Sequence, residues 1–78
     1  MLTSDQIRMA RAALKIGVRE LAEMAGVNPG TISRFETGKG GMQSGNLDAV
    51  QRALEAAGVH FVDPNGLGPG VRLQKTGE

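Results

Sequence analysis

A helical pattern that breaks at Gly26 and restarts at Asn28-Pro29 constrains this chain more than any other feature. Glycine takes the positive φ of a sharp turn, asparagine accepts bonds from the first amides of a helix, and proline suits the first helical position. The stretch from Leu21 to Glu36 therefore reads as two short helices crossing steeply through a tight turn. Ala22 is small enough to let the helices approach, and Val27 plugs the corner. Ile32 and Phe35 share one face of the second helix of the pair, placed to pack on Leu21 and Ala25.

The flanking segments carry the same periodicity. Thr3 and Gln6 form a Thr-x-x-Gln capping box that opens a first helix at about Ser4, with Ile7, Ala10 and Leu14 on one face. A second helix spans about Val18 to Ala25, with Leu21, Ala22 and Ala25 inward. The third runs from Pro29 to Glu36 and ends in the loop Thr37-Gly38-Lys39-Gly40-Gly41. Asn46 is expected to cap a fourth helix with Leu47, Val50, Leu54 and Ala57 as its apolar stripe and Gly58 as its C-cap. Beyond Gly58 the pattern changes. Val59-His60-Phe61-Val62 is β-prone, Asp63-Pro64-Asn65-Gly66 is a turn signal, and Val71-Arg72-Leu73 suits a second strand. The expectation is a mainly α fold, with four helices in residues 1–57 and a β-prone tail in residues 58–78.

Composition removes several function classes. Seventy-eight residues make one small domain with no room for a lidded substrate pocket. The chain has no cysteine and one histidine, His60, so a disulfide framework, thiolate zinc or a histidine-based metal site is not expected. There is no paired-carboxylate cleft and no nucleophile beside a base, so the chain does not read as an enzyme, and no cofactor or small-molecule ligand is implied. No apolar run approaches a membrane span, and acidic Asp5 near the start does not suit a signal peptide; with the missing cysteines, the expected location is the cytoplasm. Gly40-Gly41 neither follows a strand nor precedes the lysine and hydroxyl of a phosphate loop. Met9, Met24 and Met42 read as core or loop filler, and His60 as an exposed strand residue. Net charge is only +1, but residues 1–39 hold six bases against four acids, so the positive charge is concentrated in the helical part.

The stretch Leu21 to Gly38 resembles the phage-repressor helix-turn-helix family (Cro and lambda-repressor-like, or XRE). That family has the form Leu-Ala-x-x-x-Gly-Val-x-x-x-x-Ile-Ser-x-hydrophobic-Glu-x-Gly. Nine positions match: Leu21, Ala22, Gly26, Val27, Ile32, Ser33, Phe35, Glu36 and Gly38. The resemblance covers roughly residues 4–57 and implies a DNA-binding transcriptional regulator whose third helix enters the major groove. It implies DNA contacts from Asn28, Gly30, Thr31, Ser33 and Arg34, with Arg34 as the base reader, since a guanidinium pairs bidentately with guanine. Arg19 and Lys39 are implied as phosphate contacts. Ala22, Gly26, Ile32 and Phe35 are implied as the frame of the motif, and Glu36 as the partner of Arg11. Two departures stand out. Val18 occupies a position where the family often has a phosphate-binding Gln, and Pro29-Gly30 replace longer polar side chains, which shifts weight toward readout of DNA shape.

The tail carries three alternatives. It is a dimerisation element, giving a homodimer on a palindromic operator, or a hairpin folded onto the fourth helix of its own chain, or plain disorder after about Leu73. If it serves only the dimer, residues 1–58 fold without it. A competing function uses the same helical fold as a protein-interaction or anti-activator module without DNA, for which the short side chains at Pro29 and Gly30 are the support.

Overall fold

The computed structural model describes residues 2–62 and 68–74. Helix α1 (Ser4–Leu14) opens with the capping box read from the sequence: Gln6 N–H donates to Thr3 Oγ1 (3.1 Å) and Thr3 N–H donates to Gln6 Oε1 (3.0 Å). It stops at Lys15, which holds a left-handed φ of 59° without being glycine. Helix α2 (Val18–Ala25) ends at Gly26, whose φ of 69° makes the turn. Helix α3 (Pro29–Glu36) starts as its Asn-Pro signal requires, with Asn28 Oδ1 accepting from Gly30 N–H at 2.7 Å.

Helix α4 (Ser44–Ala56) corrects two expectations. It begins two residues before Asn46, with Gln43 rather than Asn46 at the N-cap and no side-chain cap bond. Starting earlier lets Gln43 C=O accept from Leu47 N–H (2.9 Å) and brings Leu47 into the core. At the other end Ala57, not Gly58, is the cap residue; it is exposed, so the stripe reduces to Leu47, Val50 and Leu54. Gly58 follows with φ 103° and redirects the chain into β1 (Val59–Val62).

Strand β1 pairs antiparallel with β2 (Gly70–Leu73), Val59 opposite Leu73 and His60 opposite Arg72. The expected turn at Asp63 to Gly66 lies outside the described residues. The hairpin is intramolecular and packs on two helices, β1 against α4 and β2 against α1, rather than on α4 alone. Val59 joins Ile7, Leu21, Ile32, Val50 and Leu54 in one core. Gln6 ties the hairpin down: its buried amide nitrogen donates to Val62 C=O (3.2 Å) and Gly70 C=O (3.1 Å). One side chain thus caps α1 and clamps the hairpin.

Of the three methionines read as filler, Met42 packs against the core, whereas Met9 and Met24 are exposed. Each lies on the outward side of its helix, because Ile7 and Ala10, and Leu21 and Ala22, take the inward positions. Ala22 is buried in α2, which packs on both α3 and α4. Ala22→Leu is therefore expected to overpack this crossing and destabilise by about 1–3 kcal/mol. An unchanged denaturation midpoint for that variant would show that the helices do not close on Ala22.

Candidate nucleic-acid interface

Helix α3 divides into two faces. Ile32 and Glu36 are buried, and Phe35 is packed against the core. The helical period then turns Pro29, Gly30, Ser33 and Arg34 outward, and all four are exposed. Thr31 sits between the faces and is half-buried, so it is less available than its neighbours. Asn28 is exposed, but its side-chain oxygen is taken by the Gly30 amide, which leaves only its NH₂ free to donate.

The end of α3 is closed by its own residues. Thr37 Oγ1 donates back to Ser33 C=O (3.0 Å) and approaches Arg34 C=O (3.3 Å). Gly38, at φ 75°, lets the chain reverse so that Lys39 N–H donates to Arg34 C=O at 2.9 Å. Arg34 and Lys39 are thereby held together at one end of the outward face. Arg19, from α2, shares a cleft with Pro29 at the other end, together with Ala22, Glu23, Gly26 and Val27. Among the described residues Arg19, Arg34 and Lys39 are exposed and form no ion pair.

Behind this face lies the pair that orients it. Arg11 Nε and Nη2 donate to the two carboxylate oxygens of Glu36, each at 2.7 Å, a bidentate fork. Arg11 Nη1 also donates to Ile16 C=O (3.2 Å), so one guanidinium joins α1, the turn into α2, and the last turn of α3. The hydrogen bond to Glu36 holds the Arg11 pKa above the ordinary arginine value against the opposing effect of burial, with direct charge attraction adding to it. Glu36 is 6% exposed, so this pairing also removes an acid from the outward face. Glu20 is exposed and accepts from Gly17 N–H at 2.9 Å.

A family model described as "Helix-turn-helix domain" matches residues 4–63. The chain belongs to the helix-turn-helix domain family. The matched residues take in all four helices and β1, so the first strand lies within the domain. Among curated proteins no significant match is found. In DNA-binding helix-turn-helix domains the second helix of the motif enters the major groove while the first crosses the backbone, and α3 has the place of that second helix. Among the described residues no helix is long and apolar enough to cross a membrane.

Two contributors go beyond the sequence reading. The Thr-x-x-Gln pattern shows only the capping role of Gln6, whereas its bonds to the hairpin carbonyls follow from burial that the fold decides. Thr37 reads as the start of a loop, although a threonine after a helix can bond the last free carbonyls.

Proposed function

We propose that this protein is a sequence-specific double-stranded DNA-binding transcriptional regulator of the Cro and lambda-repressor-like (XRE) branch, working in the cytoplasm as a homodimer on a palindromic operator. The observation that carries the reading is the outward face of α3, where Arg34 stands exposed and unpaired beside Lys39 on a helix fixed from behind by Arg11 and Glu36. Arg34 reads a guanine edge. Ser33 and the Asn28 NH₂ group bond a base or a phosphate, Thr31 takes a minor part, and Gly30 lets the backbone approach. Lys39 and Arg19 neutralise phosphates on either side.

In this reading residues 1–57 bind DNA and residues 58–78 serve the dimer. Gln74 N–H donates to Gly58 C=O (2.6 Å), and by antiparallel alternation this turns the amides of Val71 and Leu73 toward the outer edge of β2. Leu73 is 49% exposed, whereas Val59 on β1 is covered. The open edge of β2 is thus where a second copy adds its strand. The alternative, a protein-interaction module, draws on the absence of long side chains at Pro29 and Gly30. It leaves the unpaired cations of the same face without a role.

Selection of bound sites from random duplex DNA, followed by sizing of the complex, tests the proposal. A palindromic site bound by two chains supports it; recovery of no site, or binding of one chain, contradicts its DNA or dimer part respectively. Lys39→Ala is expected to weaken all DNA sequences alike and to reduce the slope of log affinity against log salt by about one per bound chain. An unchanged slope would place the loop after α3 away from the backbone.

A further inference from the structure

We infer that Pro29 reads the methyl group of a thymine in the major groove, making the start of α3 a sensor of 5-methylpyrimidines; this rests on the DNA-binding reading above. On its outward side the first turn of α3 carries little hydrogen-bonding chemistry, since the Thr31 hydroxyl group belongs to a half-buried residue. Asn28 Oδ1 is committed to the Gly30 amide at 2.7 Å. A Cβ at Gly30 would stand 3.1 Å from that same oxygen, so a side chain there would push the capping oxygen back by a few tenths of an ångström. Pro29 has no N–H, and its ring is exposed. What faces outward is therefore an apolar ring beside bare backbone, with Asn28 Nδ2 as a flanking donor. The polar side chains of this face, Ser33 and Arg34, come a turn later.

Among the base edges of the major groove, the thymine C5 methyl is the apolar group that matches such a surface. The absent side chain at Gly30 lets the groove wall come close enough for van der Waals contact. Pro29 also lines the cleft that holds Arg19, so a phosphate bound by that arginine would lie beside the ring. Pro29 and Arg34 are five residues apart on the helix, about 7.5 Å along its axis, so their contacts fall on different base pairs.

The test uses the full chain and its selected duplex, with each thymine replaced in turn by deoxyuridine, which removes the methyl and nothing else. In each half-site one replacement, near the Arg34 guanine, should weaken binding about fourfold, the worth of one buried methyl. Pro29→Ala should weaken the thymine site by about fourfold per bound chain and leave unchanged the duplex with uracil in both half-sites. If Pro29 only stiffens the start of α3, that variant weakens both sites equally and the inference is overturned. Equal binding of every thymine and uracil duplex by the unsubstituted protein overturns it alone. A chain that selects no sequence overturns the DNA reading and this inference together.

Discussion

Replacing Arg11 with methionine is expected to lower the free energy of unfolding by about 3 kcal/mol, the low end for breaking a buried ion pair. Methionine keeps most of the side-chain stem, so the loss reports the charge and its hydrogen bonds rather than packing. Glu36 would then remain buried without the two donors that now meet it at 2.7 Å. The Arg11 side chain keeps 23% exposure, which admits some water after its removal and argues for the low end. A chain of this length is stabilised by roughly 4–12 kcal/mol in total, so the variant loses a large share. Urea denaturation at neutral pH measures it. Adding Glu36→Leu to the same variant should recover most of the loss, because an apolar pair replaces a stranded carboxylate. A loss below about 1 kcal/mol would mean that the pair behaves as a solvated surface contact. The raised Arg11 pKa gives the sign of the pH dependence. A raised basic group contributes fully below its unfolded pKa and loses that contribution only as pH climbs through the folded value, so pH near neutrality leaves the Arg11 contribution intact.

Deleting residues 59–78 should have an effect of similar or greater size, about 3–5 kcal/mol, and a melting temperature lower by roughly 15 °C or more. Val59 is only 1% exposed and sits in the same core as Leu21 and Leu54; Phe61 and Val71 pack against that core. Their loss opens the space between α1 and α4 and strands the Gln6 amide, whose two hairpin carbonyls disappear. This differs from the sequence expectation that a purely dimerising tail leaves residues 1–58 folded by themselves. Gln6→Glu separates the two contributions. It keeps an acceptor for the Thr3 amide but sets a carboxylate against two carbonyls, so it should loosen the hairpin while sparing the α1 cap. Thermal melts of the deletion, of Gln6→Glu and of the full chain decide it. A deletion as stable as the full chain would show that the hairpin adds nothing to the core.

The limits of α1, α2 and α3 were legible because each is marked by local chemistry: the Thr3-Gln6 box, the positive φ of Gly26, and Asn28-Pro29. The pairing of Arg11 with Glu36, 25 residues apart, came from the family resemblance, since spacing alone does not bring those two residues together. The start of α4 was misplaced because Asn46 is a good cap by type, whereas burial of Leu47 favours a helix already under way at Ser44. The strands were visible from composition, but their seat against α1 was not. That seat combines the packing of Val59, Phe61 and Val71 with an amide group reaching across 56 residues of chain from Gln6 to Val62, and no local pattern encodes such contacts. At the interface the sequence placed Thr31 with the outward residues, and the helical period turned it half inward.

The central claim, that the outward face of α3 reads DNA sequence, is tested most directly by Arg34→Ala measured on the selected site and on random duplex at the same salt. The unsubstituted protein should prefer its site by about a thousandfold or more. The variant should lose about tenfold or more on that site, with relaxed preference at one or two base pairs, and much less on random DNA. Equal loss on both duplexes would make Arg34 a phosphate contact, and no loss on a proven site would contradict the claim that this face of α3 lies in the groove.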